Sequence, residues 1–514
     1  MVSSRKSKLL QGSASNLVRM LLSMMVSLLL PRFLVHRMTP AEYSAWFLIL
    51  QLSAYVTYLD FGVQTAIGKF VAEYDALGDR SAARAMVSSA FSLLSIAAMI
   101  GCILVAVLTY RVPQLFHQMP SFLYHDVRVG LLCIGLSVCF MLPFSVFMTT
   151  FTGLQQYGFP TLFISASRIL SALCLVAVIM AHGTILEMAW AMAIFNIATA
   201  VAQVVGWKQY ASERVPFSFF YFDRGCLRKL VEYCGVLSIW TMGGLLISGL
   251  DTTIVGHFDF GNTGYYAVAG SATNFMLMIT GNMLSPLLPA ISSLQTERTP
   301  AQMGDLLVRA TRLGATVLLA FALPLLIGGY PLLTLWLGAS YAAKSLLFLQ
   351  ILVVGNVFRQ FSFPYALFIV ATGKQRYATV APVAESIVNV ILSVLLARRY
   401  GAIGVAAGTL IAAFVGLAAH ALISMQYTQA TIAIDRLRLL TQGILRPACS
   451  IVPTLLILPF WHRYSLLPMN PTLFTLWIAT TLALLWWVAL TISERVQIQQ
   501  QVQTRFGRFL HQGA

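Results

Sequence analysis

Charge is what this sequence has least of. Only 10% of its 514 residues are charged, 33 lysines and arginines against 17 aspartates and glutamates, where a soluble domain carries roughly a quarter. A chain that is 58% hydrophobic, with a mean hydropathy of +0.80, has too little polar surface to face water. A soluble globular fold is thereby excluded and an integral membrane protein implied. The formal charge of +16 would suit nucleic acid if it formed a basic patch on a soluble face, but no soluble domain is visible. Topology and an anionic ligand account for it better, and no nucleic-acid partner is expected.

Several chemistries lack their motifs. There is no G-x-x-x-x-G-K-[ST] loop to cradle ATP phosphates, no H-E-x-x-H to hold zinc and no G-x-S-x-G to raise a nucleophile. The seven cysteines, at 102, 133, 139, 174, 226, 234 and 449, lie in or beside apolar runs with no C-x-x-C and no partnering histidine pattern. They read as packing residues rather than disulfide partners or zinc ligands. A membrane glycan polymerase or ligase would share this hydropathy but is expected to carry its catalytic residues on a large external loop. Here the longest external loop, 111–128, is short, so His117 and His125 read as surface residues. No catalytic residue, metal ligand or cofactor is assigned, and the chain reads as a non-enzyme; transport can still draw on an ion gradient, H+ or Na+.

What is present is apolar sequence in lengths suited to a bilayer. The template of about 20 apolar residues as helix matches at fourteen places, spans 1 to 14: 12–31, 43–68, 86–110, 129–152, 160–181, 185–206, 232–256, 266–292, 313–336, 345–371, 377–397, 402–424, 444–463 and 472–492. The basic, then apolar N-terminus resembles a signal peptide, but no small-residue cleavage site comes after it, so it reads as an uncleaved first span. Summed over alternate connectors, 22 lysines and arginines fall on the side of the N-terminus and 8 on the other. That bias predicts a multi-pass protein of the inner (plasma) membrane with both termini cytoplasmic.

The sequence also repeats. "TGLQQY" at 152–157 and "TGKQRY" at 372–377 share four of six residues, and Tyr43 and Ala45 fall opposite Tyr265 and Ala267 at nearly the same offset. Each half holds six spans, an even number, so the halves enter the membrane in the same direction and should be related by an axis along its normal, with a cavity between them. The expected organisation is an N-terminal lobe at 1–212, a C-terminal lobe at 213–430, and an appended pair of spans with a tail at 431–514. The fold class is therefore an all-α polytopic membrane protein.

An acidic residue and a glycine late in span 2 ("LDFGVQTAIGKFVAEY"), Asp251 in span 7 ("LDTTIVGHF"), T-G-x-Q-x-Y after spans 4 and 10, and "ESIVNVILSVLLARRYGAIGVAAGTLIA" across spans 11 and 12 resemble the polysaccharide transporter family. These are the lipid-linked oligosaccharide and O-antigen flippases of the multidrug/oligosaccharidyl-lipid/polysaccharide (MOP) exporter superfamily. The resemblance covers most of residues 10–430. Many members carry a basic residue directly after the acid in span 7, where this chain has Thr252. The resemblance implies a flippase that moves a polyprenyl-diphosphate-linked oligosaccharide across the inner membrane by alternating access, in contact with membrane lipid. Lateral openings would involve spans 1, 2, 7 and 8, and a polysaccharide polymerase and chain-length machinery are the partners it suggests. A lipid II flippase and a multidrug extruder of the same superfamily are the competing readings. A major-facilitator transporter lacks support, because its G-x-x-x-D-R-x-G-R-R loop after span 2 is missing.

Ionisable residues inside spans are the site candidates, since each is costly in lipid and tends to face a partner or a cavity. Arg19, Arg168 and Arg359 are the substrate-binding candidates, because a guanidinium can hold diphosphate or acidic-sugar oxygens in paired charge-assisted hydrogen bonds. Arg19, nearer the membrane surface, can instead snorkel. Asp60, Asp251 and Glu385 are the gating or coupling candidates. For Asp60 the competing reading is structural: a carboxylate hydrogen-bonded in the bundle, with Gly62 permitting close approach. At 1.5 Å per residue, Glu385 lies about 12 Å and Arg359 about 18 Å from the same ends of adjoining spans, close enough for long side chains to pair.

Overall fold

The structure is a computed structural model; it describes residues 22–456 and 471–500 apart from 157, 220, 222, 286, 295–297 and 498. Regular structure among the described residues is entirely helical, and the described part of every predicted span is mostly helix. Nine of these helices are long and apolar enough to cross a membrane, and two shorter apolar ones, Leu22–Val35 and Phe474–Ala489, match spans 1 and 14. Spans 11 and 12 join as Arg376–Tyr427, turning at Gly401, whose φ of 56° and ψ of −137° no helical residue adopts.

Breaks inside spans have local causes. Span 2 begins at a capping box, Thr39 and Glu42 around Pro40, and runs as Pro40–Ala54 before tightening into the turn Tyr55–Asp60. Phe61 and Gly62 are then both left-handed (φ 48° and 82°), and a new helix, Val63–Leu77, starts behind them. Asp60 Oδ1 accepts from Gln64 N at 3.2 Å, supplying an acceptor to a helix start that otherwise has none. The next helix, Arg80–Leu115, is capped by Asp79, which accepts from Ser81 N and Ala82 N. Hydrogen bonds from the Ala82 amide and the Ser81 hydroxyl hold the Asp79 carboxyl below its ordinary range. Both "TG" connectors end a helix in a left-handed residue, but at Gln155 in the first and Gly373 in the second. The two helices therefore stop two positions apart within the motif.

The chain divides into two compact units. The first comprises Met1–Val268 and Val390–Val405. Span 4 packs there against spans 2, 3 and 6, and small residues allow it. A Cβ on Gly135 would sit 2.7 Å from Val105, and one on Gly130 would sit 3.0 Å from Ile49. The long connector after span 6 is not a free linker. Ser218 N and Asp223 N donate to Ser88 Oγ and Ser89 Oγ at 3.1 Å, and Phe217 and Phe219 join Phe91, Phe147 and Trp207 in one aromatic cluster. The matched repeat stretches touch in this unit: Gly264 N donates to Ser44 Oγ at 3.0 Å.

The second unit comprises Ala269–Asn389 and Ala406–Ala514. Span 9 starts at a second capping box, Thr299 and Gln302, and Gly355 of span 10 would place a Cβ 3.1 Å from the Leu410 backbone. Arg312, counted with the connector before span 9, is in fact 5% exposed and forms a bidentate pair with Glu494 at 2.5–3.2 Å. Arg446 donates to the carbonyls of Val488 and Leu490. Arg312 thus fastens span 9 to the end of span 14, and Arg446 fastens span 13 to span 14. Burial pushes the Glu494 carboxyl up, but hydrogen bonds from Arg312 and Thr491 outweigh it and leave it below its ordinary range.

Candidate functional site

The densest group of candidates lies in the second unit. Arg359 sits in the last turn of Ala339–Phe361, where Ser362 Oγ donates to the Arg359 carbonyl at 2.8 Å. Its Nε donates to Glu385 Oε1 at 2.5 Å and its Nη1 to Asn356 Oδ1 at 2.7 Å. Asn356 is fixed in turn by donating to the Leu352 carbonyl at 2.9 Å. The depth argument allowed this pair, and the structure brings its two members together. Glu385 is 8% exposed and Arg359 20%, so each charge depends on the other rather than on water. Arg359 Nη2 is buried and has no acceptor among the described residues. The group is neutral as it stands, with one guanidinium donor left over.

Glycine makes room for this pair. A Cβ on Gly416, in span 12, would lie 2.3 Å from Glu385 Oε2 and 2.8 Å from Cδ. Gly416→Ala therefore pushes Glu385 off Arg359, at an overpacking cost of about 1–3 kcal/mol. We expect the thermal midpoint of the purified variant to fall below that of the wild type at near-normal membrane abundance, read by a melting curve against an immunoblot.

One turn beyond Gly416 lies His420, buried, with Nδ1 lacking a partner among the described residues and its ring edge-on to Tyr365 at 5.5 Å. Tyr365 shares a 2.9 Å hydroxyl hydrogen bond with Thr428. A search of the spans for histidine as well as for lysine, arginine and acids would have found His420, since "GLAAHALIS" is otherwise apolar.

A second polar group belongs to the first unit. Span 7 runs as Arg224–Gly244, a π-helical turn Leu245–Gly249, and then Asp251–Phe258. The Gly249 carbonyl accepts from Gln51 Nε2 at 2.7 Å and from Tyr55 Oη at 3.0 Å, and Tyr55 also hydrogen-bonds Thr253 Oγ1. Beside that turn Asp251, 4% exposed, accepts from Tyr266 Oη at 3.2 Å. Turns of this kind recur at functional sites because they re-aim a carbonyl. The hook of Gln51 and Tyr55 onto Gly249 had no sequence signal, since its partners lie almost 200 residues apart.

The remaining candidates are held separately. Asp60 caps Val63–Leu77 through Gln64. Arg168, exposed on Gly158–Met180, donates through Nη1 to Ser23 Oγ at 3.0 Å. Arg19 lies outside the described residues. Among the described residues, no group of three or more histidine, cysteine or acidic side chains is placed to hold a metal ion.

Long apolar helices with charged groups paired at depth define a multi-pass membrane protein. The chain is similar in fold to the lipid II flippase MurJ in an inward closed conformation, with 15% identity, a TM-score of 0.68, and 93% of this chain and 97% of that one covered. It is also similar to a multidrug resistance MATE family transporter of the MOP superfamily in an inward-facing conformation (12% identity, TM-score 0.65, 79% and 95% covered). A MATE transporter from Vibrio cholerae gives 16% identity, a TM-score of 0.58, and 83% and 98% covered. No match was found among curated protein sequences. A family described as "Polysaccharide biosynthesis protein" matches residues 29–346. The chain belongs to that family, and it shares a fold with these flippase and MATE structures.

Proposed function

We propose that the protein translocates a polyprenyl-diphosphate-linked oligosaccharide, an O-antigen or exopolysaccharide repeat unit, from the cytoplasmic to the outer leaflet of the inner membrane. Membership of a polysaccharide biosynthesis family supports the glycan, and a fold shared with a lipid-linked precursor flippase supports the carrier lipid. One observation carries the anionic cargo: Arg359 keeps a buried, unpartnered donor beside a carboxylate that already balances its charge. An arriving phosphate takes that donor in a charge-assisted hydrogen bond. A cationic drug has no use for such a donor. The polyprenyl chain stays in lipid, and only the head group passes through the protein. The two repeats, 1–212 and 213–430, are the proposed moving parts, with an H+ or Na+ gradient as the proposed drive and a polymerase with its chain-length machinery as the proposed consumer.

Complementation tests the glycan. The gene should restore surface polysaccharide to a strain lacking its O-antigen or exopolysaccharide flippase. Growth of a strain depleted of its lipid II flippase, without that restoration, would move the assignment to the peptidoglycan precursor, the reading that the coverage by MurJ favours.

Orientation has its own test. Cysteines at positions 209, 298 and 375, in a background lacking the native ones, should be shielded from an impermeant thiol reagent in intact cells, and those at 117, 262 and 340 should react. The opposite pattern would reverse the topology.

A further inference from the structure

Within the first unit, the helices Leu22–Val35 and Gly158–Met180 line an open cavity of about 510 Å³. Arg168 and Ser23 bridge the two helices at 3.0 Å, and the cavity is lined by the residues next along each helix, 25–37 and 169–176. One wall is a single helical face, Met25, Leu29 and Phe33 at four-residue spacing; the other is Ile169, Leu173 and Val176. Leu29 and Leu173 are each 57% exposed. At the end nearest residue 37, three nitrogen-bearing side chains close the lining: Arg32, His36 and Arg37. No carboxylate lines the cavity, and among the described residues neither arginine has an acidic partner.

We propose that this cavity is a binding site for an anionic phospholipid of the bilayer, with one acyl chain between the two helices and the phosphate at Arg32, His36 and Arg37. The charge argument is complementarity: a lipid phosphate accepts charge-assisted hydrogen bonds that two unpaired guanidiniums offer at headgroup level. The size argument agrees. At about 30 Å³ per water-sized group, 510 Å³ takes roughly 17 such groups, the bulk of one ordinary acyl chain and less than a whole polyprenyl chain. The site shares no residue with the Arg359 group. Its occupant holds the first helix against Gly158–Met180 where the Arg168 bridge does not reach.

The test uses the full-length protein in vesicles of phosphatidylcholine doped with phosphatidylglycerol, gently extracted, with retained lipids counted by native mass spectrometry. The wild type should retain phosphatidylglycerol over phosphatidylcholine by about tenfold beyond its share of the vesicle, a difference of about 1.4 kcal/mol. Arg32→Gln with Arg37→Gln, both at exposed positions, should abolish the preference. Leu173→Trp, which fills the cavity, should abolish it independently. Equal retention of the two lipids by the wild type, or an unchanged preference in both variants, would overturn the proposal. So would retention of an added polyprenyl phosphate in place of phosphatidylglycerol, which would give the cavity to the substrate, and retention of no lipid at all, which would leave it to the chain's own residues.

Discussion

Arg359→Gln should abolish surface glycan while the protein stays at normal abundance in the membrane. Glutamine keeps a hydrogen-bonding head but loses the charge and the fork that serves Glu385 and Asn356 together. Hydrogen bonds to charged groups are worth about 1.5–3 kcal/mol each, so losing one to a phosphate lowers export by about ten- to a hundred-fold. Arg359→Lys retains the charge but not the paired geometry and should restore only part of the activity. Arg168→Gln is expected to act in the same direction, and the double variant to show none. Full export by the double variant at normal abundance would remove both arginines from substrate binding. Exchanging Arg359 and Glu385 tests the pair itself: if the exchange rescues neither single variant, the pairing carries no function of its own.

Breaking the buried pair between Arg312 and Glu494 should have the largest effect on stability. Both side chains are 5% exposed, and removing one partner leaves a buried charge uncompensated, a loss of about 3–5 kcal/mol. Glu494→Ala should therefore lower membrane abundance and the thermal midpoint of the purified protein. Arg312→Met combined with Glu494→Leu should recover much of that loss, because no charge is then stranded. The pH dependence has a definite sign. The folded Glu494 carboxyl is depressed below its ordinary 4.5, so the pair contributes fully above that value and its contribution is lost as pH falls through the depressed one. A single variant that melts with the wild type would mean that the pair fastens nothing.

How much of this could be read from the sequence depends on the range of the interaction. Spans, connectors and charge asymmetry are properties of stretches of about 20 residues, and hydropathy alone placed each span on helix. The break in span 2 was legible in part: Asp60, Phe61 and Gly62 stood out within an apolar run, but only backbone geometry shows that Phe61 and Gly62 are left-handed and that Asp60 caps the helix Val63–Leu77. Arg359 and Glu385 lie on adjoining spans, so rise per residue sufficed to put them within reach. Arg312 and Glu494 are 182 residues apart in the chain, one in the connector before span 9 and the other in the tail after span 14. The same distance problem hid the hook of Gln51 and Tyr55 on Gly249, because a carbonyl freed by a π-helical turn carries no residue signature. His420 was hidden only by a search confined to cations and acids.

Reconstitution tests the central claim most directly. Proteoliposomes holding the purified protein and a polyprenyl-diphosphate oligosaccharide in both leaflets are exposed to a membrane-impermeant enzyme that cleaves the glycan. Wild-type vesicles should lose the inner-leaflet pool as well as the outer, and Arg359→Gln vesicles the outer pool alone. Loss of only the outer pool by the wild type, under either an imposed proton or sodium gradient, would contradict the assignment of this protein as a lipid-linked glycan flippase.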